Sequence, residues 1–325
     1  MIRIHKDKIQ FDDFTLYATP TGMSFDGQII ASEFLSLYQG SIAGFTAGGY
    51  GPGNFSLIER YSFVNDGNAT NIGNLTQGRY TGSGSSSSTY GYTAGGGTYP
   101  PPVSRNTIDK FSFTNNGNAV DGADLIVAKA GGAGHSSRER GYTSGGYIGG
   151  SGNTNTIERY PFAADINATD VGDTTVVRRY LAGQSSDVRG YSSGGYDSSI
   201  LNVIDYFPFA TDKNAIDVGD LTSARWFCSG QSSTVSGYTS TGTNPSTTVA
   251  TVDKFPFATF SNATNVGNLT QARQLSSGSS STTHGYTAGS GLVIDKFPFA
   301  TDTNASSVGN LTTSRSYLMS VGQQF

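Results

Sequence analysis

GYTAGSGLVIDKFPFATDTNASSVGNLTTSR, residues 285–315, decides how the rest of the chain is read. It opens on a glycine-aromatic pair and a turn, continues into IDKFPF with two aromatics at a spacing of two, turns again at Asn-Ala, alternates through VGNL and ends on a cation. A spacing of two between buried aromatics marks a strand with one face toward a core, and the Gly, Asn and Ser punctuation marks tight turns between strands. The same text recurs along the chain. The pair occurs at Gly44-Phe45, Gly91-Tyr92, Gly141-Tyr142, Gly190-Tyr191, Gly237-Tyr238 and Gly285-Tyr286, at intervals of 47, 50, 49, 47 and 48 residues. An apolar-acid pair follows in each unit, with Glu59, Asp109, Glu158, Asp205, Asp253 or Asp295 as the acid. Asn-Ala comes next at Asn68, Asn118, Asn167, Asn214, Asn262 and Asn304, and eleven residues after each Asn stands a cation, Arg79, Lys129, Arg178, Arg225, Arg273 or Arg315. Five of the cations are followed, five residues on, by a glycine that leads into Ser-rich text.

Each unit therefore holds four short strands, and four strands at a period near 48 residues are the signature of a propeller blade. The array of six has complementary gaps at its ends. No cation-to-GSS strand precedes Gly44, and no GYTAGG follows Arg315, so the strand after Ser316 is expected to complete the blade that begins near Ser41. The sequence thus predicts an all-β, six-bladed propeller over residues 41–325, closed by its C-terminal strand, with residues 1–40 as an arm outside the repeat. That arm, MIRIHKDKIQFDDFTLYATPTGMSF, alternates apolar and polar residues at Ile2, Ile4, Ile9 and Phe11 and is expected to form strands without a core of its own.

Composition agrees with this class and excludes others. Only 14% of the 325 residues are charged, 44 are glycine, and Tyr and Phe number 18 and 19, a profile suited to strands and turns rather than long helices. A net charge of −4 offers no basic field for a nucleic acid backbone. The first 40 residues contain neither a signal-peptide core nor an apolar span of about 20 residues, so membrane insertion and a cleaved leader are not expected. The single cysteine, Cys228, cannot form an internal disulfide and reads as a small buried side chain. His5, His135 and His284 show no metal-ligand spacing and read as surface or turn residues. No nucleophile elbow, HExxH or phosphate loop occurs. Catalytic residues, metal and cofactor are therefore not expected.

The order of double glycine, aromatic strand, Asn and a cation eleven residues later resembles the kelch repeat, here carried by Gly194-Gly195, Phe207, Asn214 and Arg225. The tryptophan that kelch units place two residues after the Asn is replaced by Thr70, Val120, Thr169, Ile216, Thr264 and Ser306. The resemblance implies a propeller of a divergent kelch-like group. The repeat text beside a short N-terminal segment also resembles structural proteins of aquatic tailed bacteriophages. That resemblance implies a tail-tip, fibre or capsid-surface component, made in the host cytoplasm and present in several copies of a symmetric virion.

An acid and a cation found once in every blade read as structural ties between strands or blades. Binding is expected instead in the segments between GYTAGG and IDKFPF, which vary from blade to blade and should emerge on one face. Tyr50, Tyr99, Tyr147 and Tyr196, with Asn54, Asn106, Asn153 and Asn202, form the candidate contact surface for a host-surface glycan or a protein receptor, while the arm of residues 1–40 is expected to dock on a neighbouring virion protein. Two other classes compete. A carbohydrate-active enzyme would need paired carboxylates in an axial cleft. A cellular kelch-type adaptor would carry a BTB or similar domain, for which the chain has no room.

Overall fold

In the computed structural model, the described residues are 40–324, with side chains to 318, together with five strands of the N-terminal segment. The chain divides into two compact units, Met1–Leu37 and Tyr38–Phe325. In the first unit the strands Arg3–Ile4, Lys8–Gln10, Thr15–Thr19, Gly22–Phe25 and Gln28–Ile29 pair with one another as an antiparallel meander. The apolar positions Ile2 and Phe11 lie outside the described residues.

The second unit is a six-bladed β-propeller. Blade 2 shows the plan: Ser83–Ser86, Tyr90–Ala94, Thr107–Ser112 and Val120–Asp124 form one antiparallel sheet in chain order from the axis outward. Blades 3, 4, 5 and 6 repeat it from inner strands Ala133–Ser136, Ala182–Ser185, Ser229–Ser232 and Ser277–Ser280. Blade 1 is built from both ends of the repeat array, its inner strand Met319–Gln324 pairing with Ala43–Ala47, where Met319 faces Ala47 and Gln324 faces Ala43. Each inner strand contacts the inner strands of the blades on either side.

Aromatic rings fill the space between blades. The aromatic of each glycine-aromatic pair stacks on the second aromatic of the IDKFPF strand in the next blade: Phe45 on Phe113, Tyr92 on Phe162, Tyr142 on Phe209, Tyr191 on Phe257, Tyr238 on Phe299 and Tyr286 on Phe63, with centroids 4.5–4.8 Å apart. The first aromatic of that strand lies over the glycine opposite it in its own sheet. A Cβ on Gly91 would come within 2.4 Å of the Phe111 ring, and one on Gly237 within 2.3 Å of Phe255. The glycine-aromatic pair is thus a unit in which the glycine makes room for one ring while its neighbour reaches the adjacent blade.

At the axis the inner strands approach backbone to backbone. A Cβ on Gly134, Gly183 or Gly230 would lie 2.0–2.3 Å from the carbonyl oxygen of the equivalent glycine one blade earlier. The residue after that glycine is complementary to the next blade's aromatic. Ser85 hydrogen-bonds to the Tyr160 hydroxyl at 2.7 Å and Ser279 to that of Tyr61. Where the aromatic is a phenylalanine the inner residue is larger, as with His135 against Phe207 and Gln184 and Gln231 in the two following blades. His135 corrects the reading from sequence: it is buried at 2% exposure, with Nε2 2.9 Å from Ser144 Oγ and Nδ1 3.2 Å from the Gln184 carbonyl. Burial pushes its pKa down to about 4, the Gln184 carbonyl opposes that, and Arg178 adds to it.

The acids and cations meet across the repeat. In each blade the register between the third and outer strands shifts at the apolar-acid pair, a bulge that redirects the acid. Each acid binds the cation of the connector entering its blade: Arg79 with Asp109 (3.0 Å), Lys129 with Glu158 (3.0 Å), Arg178 with Asp205 (2.6 Å), Arg225 with Asp253 (2.9 Å), Arg273 with Asp295 (2.7 Å) and Arg315 with Glu59. All twelve side chains are buried. The same carboxylates accept the N–H of Thr76, Ile126, Thr175, Thr222, Thr270 and Thr312, so each one clamps the whole connector. The Asn of each Asn-Ala turn accepts an N–H from the preceding blade's outer strand, as Asn118 does from Asn74 at 3.0 Å and Asn68 from Asn310 at 3.0 Å.

Candidate functional site

The two residues after each repeat cation stand where a connector turns into an inner strand. In the six blades the second of these is Thr81, Gly131, Tyr180, Phe227, Leu275 or Tyr317, and all six have positive φ, +57° at Tyr180, Phe227 and Tyr317. A bulky residue held in that region costs on the order of 1–3 kcal/mol and persists only where its surroundings fix it. Here a chain of backbone hydrogen bonds does so. Gly131 donates to the Thr81 carbonyl (2.7 Å), Tyr180 to Gly131 (2.6 Å), Phe227 to Tyr180 (2.9 Å), Leu275 to Phe227 (3.2 Å) and Thr81 to Tyr317 (3.0 Å). Successive blades are thereby linked around the axis, and the side chains at these positions surround one axial mouth.

The first residue after the cation bridges to the start of a variable loop. Ser316 pairs with Tyr50, Tyr80 with Gly97, Ala130 with Tyr147, Arg179 with Tyr196 and Trp226 with Thr243. The loop tyrosines expected from sequence are thereby brought to the rim of the same mouth. Tyr50 lies 6.2 Å from Tyr99 and 5.5 Å from Tyr80, and Tyr80 lies 5.4 Å from Tyr317. Phe227 continues from Tyr317 (5.8 Å) to Tyr180 (4.3 Å), and Trp226 joins Phe227 (4.1 Å) to Tyr196 (4.8 Å). Tyr147 connects through the Arg179 guanidinium, 4.8 Å above its ring. The cluster is continuous. Tyr50, Tyr80, Tyr99, Tyr180 and Tyr317 enclose a pocket of about 240 Å³.

Tyr80, Tyr180, Trp226, Phe227 and Tyr317 are additions to the expected set, and their signal in the sequence is their position directly after the repeat cation. Asn54 and Asn153 act on neighbouring loops instead of facing open space. Asn54 accepts from Tyr99 N–H (3.1 Å) and donates to the Tyr99 carbonyl (2.9 Å), while Asn153 Nδ2 reaches the Tyr196 carbonyl (3.3 Å) and Asp197 (3.1 Å). Asn106 and Asn202 precede the third strands, where their carbonyls accept from Leu125 and Leu221 at 2.8 Å each.

Cys228, expected to be buried, is half-buried and lines the axial mouth. Its thiol is pushed up to about 12, mainly by burial, with Arg225 opposing and Asp253 reinforcing the shift, so it stays protonated and a poor nucleophile at neutral pH. Among the described residues no group of three or more His, Cys, Asp or Glu is placed to hold a metal ion. The DVGD turns use their aspartates locally, Asp170 accepting from Gly172 N–H (3.0 Å) and Asp217 from Gly219 N–H (3.1 Å). No protein-family model matches this chain, and no curated protein shows significant similarity to it.

Proposed function

We propose that this chain is a non-enzymatic structural protein of a tailed bacteriophage, a kelch-like propeller that presents its aromatic axial mouth to the host-cell surface. The observation that carries this reading is the continuous run of rings on the face where the variable loops emerge. Tyr and Trp supply large contact area with little conformational freedom to lose, and their polar ends suit a hydrated partner such as a glycan. The blades divide the work accordingly. The buried ion pairs and stacked rings repeat in every unit and the axial glycine in five of the six, whereas the residues at the mouth differ from blade to blade. The N-terminal segment takes the docking role toward a neighbouring virion protein, and the phage-like repeat text supports the virion setting.

A purified particle tests the setting. Density for this propeller is expected at an exposed position on the tail tip, a fibre or the capsid surface, with the aromatic mouth facing outward. A chain absent from the particle, or one whose mouth is covered by another structural protein, would overturn the assignment.

A further inference from the structure

One side of the axial mouth is open. Where blades 2, 4, 5 and 1 carry Tyr80-Thr81, Arg179-Tyr180, Trp226-Phe227 and Ser316-Tyr317, blade 3 carries Ala130-Gly131. Gly131 allows the Tyr180 ring to lean into the space left vacant, since a Cβ there would meet that ring at 2.8 Å. Beside it lies a notch of about 380 Å³, within the range of small-ligand sites at about 300–1,000 Å³. Tyr80, Tyr180, Tyr147 and Arg179 line it, with the hairpin Gly97–Thr98 and Val103–Ser104 as a further wall.

Arg179 is the cation of the lining. Every repeat cation is paired with a buried acid, and Lys110, Arg159, Lys254 and Lys296 form ion pairs between neighbouring blades. The Arg179 guanidinium has no carboxylate within ion-pair distance and no hydrogen-bond acceptor among the described residues, and its buried Nε is unpartnered, as are those of Arg105 and the five repeat arginines. Asp197, on the adjoining loop, is held by Ser198 and Asn153 and senses the Arg179 charge from beyond ion-pair distance. Three rings, Tyr147, Tyr180 and Tyr196, hold the guanidinium at 4.8, 5.2 and 5.5 Å from their centroids. An arginine fixed in place with no carboxylate in hydrogen-bond contact has donors free for a planar oxyanion, and a carboxylate matches its fork with two parallel hydrogen bonds.

We propose that this notch binds a carboxylated sugar residue, with the carboxylate on Arg179 and the sugar ring against Tyr80 and Tyr180. The proposal rests on the reading of this face as the recognition surface and adds to it the class of glycan, an acidic polysaccharide. Tyr80 and Tyr180 hydroxyls are suited to the sugar hydroxyls, and the aromatic faces to the C–H surface of the ring.

The test uses the full chain and a panel of oligosaccharides containing hexuronic or nonulosonic acids, each with its carboxyl-reduced form, together with a sulfated dextran. At least one acidic oligosaccharide is expected to bind at least tenfold more tightly than its reduced form. Arg179→Gln should abolish that difference. Ala130→Trp should block the notch with the fold intact, because the equivalent position already holds Tyr80 in one blade and Trp226 in another. Equal binding of acidic and reduced forms, acid preference that survives Arg179→Gln, or binding of the sulfated dextran alone would overturn the proposal while leaving a glycan-binding face in place. No binding by any member of the panel would also overturn it. The wider reading is judged separately, by adsorption of particles whose mouth tyrosines are replaced.

Discussion

Arg225→Met is expected to lower the stability of the propeller by about 3–5 kcal/mol, the usual result of stripping a buried charge of its partner. Both Arg225 and Asp253 are fully buried, 2.9 Å apart, and the guanidinium also donates to the Thr251 (3.1 Å) and Thr239 (3.0 Å) carbonyls. Methionine fills much of the space but supplies none of those donors. It leaves a carboxylate in the interior whose other partner is Thr222. Combining Arg225→Met with Asp253→Asn should recover part of the loss, because the amide oxygen can still accept from Thr222 and no net charge stays buried. Denaturant unfolding measures both variants. A loss under about 1 kcal/mol for the single variant, the range of exposed pairs, would mean that the pair is solvated in solution.

The second large effect is a pH dependence. His135 has its pKa lowered to about 4 in the folded protein against an ordinary value near 6.5, so the unfolded chain takes up the proton first as pH falls. The stability associated with the neutral ring is fully present above pH 6.5 and is lost between about 6.5 and 4. A shift of that size amounts to about 3 kcal/mol. His135→Gln should remove this component, because Gln184 and Gln231 fill the same place in the next two blades and reach the following sheet, as Gln184 Nε2 does at the Tyr238 carbonyl (3.0 Å). Unfolding free energies of both proteins at pH 7.5 and pH 4 give the comparison. The wild type should lose more on acidification by roughly that amount. Parallel losses would assign the titration to other groups.

The architecture was legible in the sequence because a propeller repeats its constraints. Spacing alone exposed the four strands, the glycine-aromatic pair and the acid and cation of each unit. Spacing did not show which acid takes which cation. Arg79 binds Asp109, thirty residues onward and in the next unit, because the connector and not the blade is what the carboxylate clamps. His135 was misread because its surroundings in sequence, Gly and Ser, resemble surface turns, whereas the inner strands bury such text against the neighbouring blades. The loop tyrosines were legible as aromatic residues in variable segments. Their partners Tyr80, Tyr180, Trp226, Phe227 and Tyr317 were not, because positions next to an invariant cation look like framework. Only the left-handed turn at the axis, shared by all six blades, puts Tyr180, Phe227 and Tyr317 at the mouth, and the bridges to the loops put Tyr80 and Trp226 beside them. Asn54 and Asn153 went the other way, since an exposed-looking amide beside a loop serves equally well to tie adjacent loops together.

The central claim, that recognition resides in the aromatic mouth and stability in the buried framework, is tested most directly by particles carrying Tyr50, Tyr80, Tyr180 and Tyr317 all replaced by Ser. These four rings are half-buried and border the same pocket, so their loss should leave a folded propeller that still joins the particle. The chain is expected at normal copy number, with a fall of at least tenfold in adsorption to host cells, because the rings supply most of the apolar contact. Unchanged adsorption by particles containing the folded variant would contradict the claim.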